Sequence, residues 1–190
     1  MTRTVYDAAL LLTAIAGPDQ ADPVTLEARR VADYTAGLDT ASLQGVRIDV
    51  WSDNEDGFYD VQQKGIQPDF NLRGVFRTGA DGRYWFKGVK PKFYPIPDDG
   101  PVGKLLGALG RHPFRPAHLH YILEAQGFDT LVTHIFDPDD PYIHSDAVFG
   151  VKQSLLAKFD LITDPARIAA EGMDGPFHLV EHDFVLAAKA

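Results

Sequence analysis

The chain has 190 residues, 45% of them hydrophobic, enough to bury one sizeable core with a short appendage. A formal charge of -9 with no run of Lys or Arg argues against a nucleic-acid partner, and no apolar stretch reaches membrane-spanning length. Cysteine is absent, which excludes disulfides, zinc–thiolate sites and thiol nucleophiles, leaves His, Tyr and carboxylates as metal ligands, and fits a cytoplasmic protein.

In chain order, Val5, Ala8, Leu12, Ile15 and Ala16 recur at helical spacing, and Gly17–Pro18 is a stop signal. Thr4 and Asp7 have the spacing of a capping box, so this stretch reads as a helix rather than a signal peptide, although Ala14, Ile15 and Ala16 have a cleavage-like pattern. Asp22 as cap and Pro23 in the first turn predict a second helix toward Leu38, with Leu26, Val31 and Tyr34 inward.

From Val46 the pattern changes to short β runs: VRIDVW at 46–51, FNLRGVF at 70–76, RYWFKGV at 83–89, AHLHYILEA at 117–125, TLVTHIF at 130–136 and FHLVEHDFVL at 177–186. Asp81–Gly82 predicts a hairpin turn between the second and third. Thirteen prolines and seventeen glycines punctuate these runs, and the expected architecture is mainly β, a sandwich. Two domains follow, a helical segment at 1–45 and a β body at 46–190.

His118 and His120 are separated by one residue in a predicted strand, so both imidazoles leave one face and can reach a single metal. Such a pair alone is equally a polar sheet face. Asp137, Asp139, Asp140 and Asp146 lack the glycine and terminal glutamate of a calcium loop and read as a solvated turn. His178 and His182 stand about 13 Å apart along a strand, too far to share an ion. His112 and His144 read as surface residues.

Around the histidine pair lie GFYDVQ, YPIPDDGPVGKLLGALGRHPFRPAHLH and TLVTHIFDPDDPYIHSDAVFGVKQSL. Over about residues 50–160 these resemble the intradiol ring-cleavage dioxygenases. The resemblance implies a β-sandwich of the intradiol type that holds Fe(III) through the phenolates of Tyr59 and Tyr94 and the imidazoles of His118 and His120. The donor types suit that ion: a free tyrosine titrates at about 10, and a trivalent cation holds it as the anion at neutral pH. The resemblance also makes Tyr59 the ligand that leaves and accepts a proton when a catechol binds, and Arg115 the stabiliser of ring anion character. Small aromatic diols or triols and dioxygen are the implied partners. YDVQQKGIQPDFNLRG and SDAVFGVK resemble the branch that cleaves hydroxyquinol, with catechol and substituted catechols also acceptable.

Residues 1–49 resemble a stretch inside amidase-signature hydrolases, without the Lys and two Ser that catalyse in that family. The expectation is a fusion near Val46–Val50. It offers no amide hydrolysis, so the competing reading is an iron-binding module without turnover. The helical segment must bury its apolar stripe, against the sandwich or in a homo-oligomer unlike the family's helical-zipper dimer.

His134 of VTHIF has a position that depends on the preceding turn. A two-residue loop at Gln126–Gly127 sets it opposite Leu119 and away from the metal, whereas a three-residue loop at Gln126–Phe128 sets it opposite His120. The family reading requires the second register, or an equivalent bulge, with His134 beside the bound ring rather than as a fifth ligand.

Overall fold

A computed structural model describes residues 43–189, which belong to the compact unit Leu43–Ala190. The two N-terminal helices expected at 4–16 and 22–38 lie outside the described residues. The strands are β1 (Arg47–Trp51), β2 (Arg73–Arg77), β3 (Tyr94–Pro95), β4 (Phe114–Arg115), β5 (His118–Glu124), β6 (Leu131–Phe136), β7 (Phe159–Ile162) and β8 (Phe177–Val180). Two short helices, α1 (Pro101–Ala108) and α2 (Pro165–Ala170), interrupt them.

The main sheet has the order β2-β1-β5-β6 and is antiparallel throughout. Alternation decides its faces. Ile48 and Val50 of β1, Leu119, Tyr121 and Leu123 of β5, and Ile135 of β6 turn to one side and form the core. Ala157, Tyr84, Phe86, Val180, Phe184 and Leu186 pack over that side, supplying the second layer of a mainly β architecture.

Much of that second layer is extended chain without a ladder. Residues 83–89, expected as a strand, form none, although Tyr84 and Phe86 point inward and Phe86 stacks on Phe76 with centroids 5.2 Å apart. The turn before them does form, with Gly82 at φ 76 and Gly79 N donating to Arg83 O at 2.8 Å. Side-chain periodicity is therefore satisfied by packing alone. Likewise the run at 177–186 ladders only over Phe177–Val180, while Phe184 and Leu186 reach the core from irregular chain.

Between β5 and β6 the chain turns at Ala125–Phe128, where Phe128 N donates to Ala125 O at 3.2 Å and Gly127 adopts φ 83, a conformation that favours glycine. Asp129 N donates to Ala187 O and Lys189 N to Gly127 O, both at 2.8 Å, so the chain's end braces this loop.

Candidate metal centre

The face of the main sheet opposite the core carries one row of chemistry across three strands. Trp51 pairs with His120, and His120 pairs with His134. The register that sets His134 opposite His120 brings it to the side of His118 and His120. His118 stands one step along β5, opposite Phe136, and is 1% exposed.

Tyr59 arrives on a loop that leaves β1. The Asn54 side chain accepts from Asp56 N at 3.0 Å and Phe58 N at 2.9 Å, Gly57 adopts φ 84, and a 3-10 turn at Asp60–Gln62 follows. Asp60 fastens the far side of the loop: Arg73 donates to its Oδ1 at 2.9 and 2.8 Å and Phe70 N to its Oδ2 at 3.1 Å. Arg73 beside Asp60 holds that carboxyl below its ordinary range. Tyr94 sits in β3, paired with Arg115 of β4.

These elements bring the donors together. Tyr59 Oη lies 3.0 Å from His120 Nε2, and His118 Nε2 lies 3.2 Å from the same nitrogen. The Tyr94 ring meets the Tyr59 ring edge-on at 5.2 Å and lies 5.6 Å from His118. His134 stands 4.5 Å from His120 and 5.1 Å from His118 between ring centroids. Nitrogens of His118, His120 and His134 all fall within 4.8 Å of one another, the single such cluster of possible ligands among the described residues.

Protonation suits ligation. His118 Nδ1–H donates to Pro116 O at 2.7 Å, which leaves the Nε2 lone pair facing the site. Burial, reinforced by Arg115, lowers His118 to about 3, and burial with His118 lowers His120 to about 2, so both imidazoles are neutral near pH 7. Burial, followed by Arg115, also lowers His134. Burial and the neighbouring Tyr94 push the Tyr59 phenol up, so it ionises near neutral pH only beside a cation.

The donor set fits a metal ion. An ion held about 2.1 Å from each donor, with adjacent bonds roughly 90° apart, separates neighbouring donors by about 3 Å, close to the spacing seen here. Two hard phenol oxygens with neutral imidazoles suit ferric iron.

Arg115 is 7% exposed and aims at the site. Its guanidinium donates to His118 Nε2 at 3.3 Å and is held from behind by Asp146, at 3.2 Å and 3.4 Å. Asp146 also accepts from Gly150 N at 2.8 Å. Of the four aspartates read as a solvated turn, only Asp139 is exposed. Asp137, Asp140 and Asp146 are buried because each is answered: Lys90 for Asp137 at 2.7 Å, Ala117 N and Tyr142 N for Asp140, and Arg115 for Asp146. His112 also departs from a plain surface role, accepting from Phe114 N at 3.1 Å and contacting Ser145 Oγ at 2.8 Å.

Three residues at the site were given no role there by the sequence. Trp51 stacks on His120 with centroids 4.7 Å apart and planes 3° from parallel. Asp146 orients Arg115, and Asp53 is buried beside the tyrosine segments. Trp51 carried a signal, since it ends an alternating run on the face opposite Ile48 and Val50.

A β-rich domain that gathers three histidines able to hold a metal ion, with two tyrosine rings beside them, has the donors of a metal-dependent enzyme class. The chain belongs to the intradiol dioxygenase family: the dioxygenase family model matches residues 7–188. It is 71% identical over 150 residues to the hydroxyquinol 1,2-dioxygenase of Rhizobium sp. strain MTP-10005, covering 78% of this chain and 51% of that protein. It is 46% identical over 148 residues to the 6-chlorohydroxyquinol 1,2-dioxygenase of Cupriavidus pinatubonensis, covering 78% and 53%. Among solved structures, catechol 1,2-dioxygenase from Acinetobacter sp. ADP1 matches with a TM-score of 0.74 at 33% identity, over 77% of this chain and 48% of that one. The chain spans about half the length of these relatives. The family match runs through most of the amidase-like residues 1–49, which weighs against a separate origin for them. No helix among the described residues is long and apolar enough to cross a membrane.

Proposed function

We propose that this chain is a ferric-iron intradiol dioxygenase that opens the ring of hydroxyquinol, and less readily of catechol or substituted catechols, between the two hydroxyl-bearing carbons. The observation that carries the reading is the convergence of Tyr59 Oη and His118 Nε2 on His120 Nε2, at 3.0 and 3.2 Å. Tyr59, Tyr94, His118 and His120 are the proposed ligands. Ferric iron held by these residues would supply activation of the bound catecholate toward dioxygen, both atoms of which would enter a muconate- or maleylacetate-type diacid.

The residues of the chain do the rest. Tyr59 takes a substrate proton on its phenol oxygen, a direction favoured by the burial that raises its pKa. Arg115, fixed by Asp146, offers positive charge to the developing ring anion. His134, opposite His120, donates to the ring oxygens. Similarity to hydroxyquinol enzymes supports the substrate preference.

A catalytic domain at 46–190, a cytoplasmic location and a homo-oligomer complete the proposal. Residues 1–49 lack the amidase Lys and Ser machinery and have no hydrolytic role in it. The half-length match favours one competitor, an iron-binding module without turnover. The test is the visible spectrum of the iron-loaded protein with and without hydroxyquinol, together with oxygen uptake. A tyrosinate-to-iron band that shifts with substrate, and oxygen consumption, are expected. A colourless iron-loaded protein overturns the ligand set, and a coloured protein that consumes no oxygen leaves only the binding module.

A further inference from the structure

The two tyrosines come from segments that share no strand pairing, so something else must set the distance between them. Asp53 stands at that junction. It lies two residues beyond β1, at the start of the loop that carries Tyr59, and is 1% exposed. Its Oδ1 accepts from Lys92 N at 3.2 Å, in the segment that leads to Tyr94. Apart from the phenols themselves, this is the hydrogen bond that joins the two tyrosine-bearing segments. Its Oδ2 is buried and has no partner.

The surroundings make the contact close. A Cβ on Gly57 would stand 3.0 Å from Phe93 O, 3.5 Å from Tyr94 Cβ and 3.9 Å from Asp53 Oδ2, so the loop backbone lies directly on the Tyr94 segment. On its other side that segment is pinned by the β3–β4 pairing and by Ile96 N donating to Pro113 O at 2.9 Å. The side toward Tyr59 depends on Asp53. A carboxylate buried with one oxygen unanswered is costly, and a role in holding the backbone accounts for its place there.

We infer that Asp53 is a positioning residue that clamps the Tyr59 loop to the Tyr94 segment and thereby sets the spacing of the two phenol donors. The inference rests on the proposed iron site for its consequence but not for the clamp itself. Loss of the bond lets the two segments part, and both iron affinity and the energy of the tyrosinate-to-iron band respond to phenol spacing.

The test compares full-length wild type with Asp53→Ala, which removes the acceptor, and Asp53→Asn, which keeps an acceptor oxygen without the charge. Three measurements are made: iron affinity by chelator competition, the position of the visible band, and hydrogen exchange of the Lys92 amide in metal-free protein. Asp53→Ala is expected to weaken iron binding by about 10–100-fold, shift the band and expose the Lys92 amide, while Asp53→Asn stays within about threefold of wild type with the band in place. If Asp53→Ala does not fold, Asp53→Ser, whose hydroxyl is too short to reach Lys92 N, is held to the same expectations. Unchanged affinity and band in the Ala or Ser variant, or an Asn variant as impaired as Ala, overturns the inference. Wild type that takes up no iron sinks the iron site instead, and Lys92 exchange then decides the clamp alone, with wild-type protection in the Ala variant refuting it.

Discussion

At the residue scale, the site works by fixing lone pairs. The carbonyl of Pro116 accepts a hydrogen bond from Nδ1–H of His118, and the indole of Trp51 covers one face of His120. We expect Tyr94→Phe and His118→Ala to lose most bound iron, because each removes a donor that no neighbour replaces, whereas Tyr59→Phe keeps some iron and loses the proton acceptor; metal analysis with turnover checks this. Trp51 offers an optical report. The chain has two tryptophans, and Trp85 is 78% exposed, so quenching of fluorescence by iron should come from Trp51 and vanish in Trp51→Phe while the Trp85 emission remains. Asp53 supplies a pH dependence. Burial raises its carboxyl to about 7, so the folded chain keeps a proton that the unfolded chain releases at about 3.9. The stability this contributes is present below the unfolded value and is lost as pH rises through about 7. Asp53→Asn should therefore melt higher than wild type at pH 8, with the advantage shrinking between pH 7 and pH 4. The histidine pair was legible because strand period placed both on one face. The tyrosines were not legible from spacing, since Tyr59 precedes His120 by 61 positions, and only the family resemblance singled them out.

At the element scale, the β5–β6 hairpin decides whether His134 belongs to the site. The observed register sets it opposite His120, and a connection one residue shorter would turn it to the core face. The sequence held both registers open, and the left-handed conformation of Gly127 belongs to the turn at Ala125–Phe128 that joins the strands. Gly127→Ala should therefore cost about 1 kcal/mol and lower the melting temperature by about 2–4 °C, with His134 kept in place. Deleting Phe128 should do more, removing His134 from the site at unchanged composition of the strands; loss of turnover with retained iron is the expected pattern, and full turnover would refute the role of His134. The strands that line the site were readable because Ile48 and Val50 alternate with Asp49 and Trp51, and Leu119 and Tyr121 with His118 and His120. Residues 83–89 alternate just as well and form no ladder, because periodicity reports which side chains face inward and not whether a partner strand lies alongside. Helix α1 went unread although Pro101 occupies its first turn, since Gly103 and Gly107 weaken the helical signal.

At the scale of the whole molecule, the site is local. The proposed donors and the residues that hold them, Trp51, Asp53, Asp60, Arg73 and Asp146, lie within one unit, Leu43–Ala190. The mainly β character of that unit was legible from its turns and alternation, while the origin of residues 1–49 was not, because a short stretch of sequence can resemble more than one family. Locality separates metal binding from substrate choice. Residues 43–190, produced alone, should bind ferric iron as tightly as the full chain and show the same visible band, since no proposed donor is removed. Substrate preference stands apart, because the chain spans about half of each relative and the family match extends ahead of the first tyrosine into residues 7–42. Removing residues 1–42 is therefore expected to change the ratio of hydroxyquinol to catechol turnover and the oligomeric state measured by light scattering, with the iron band fixed. A shortened protein that loses its iron would place part of the metal site's support in the first 42 residues and would refute the locality argued from Asp53, Asp60 and Asp146.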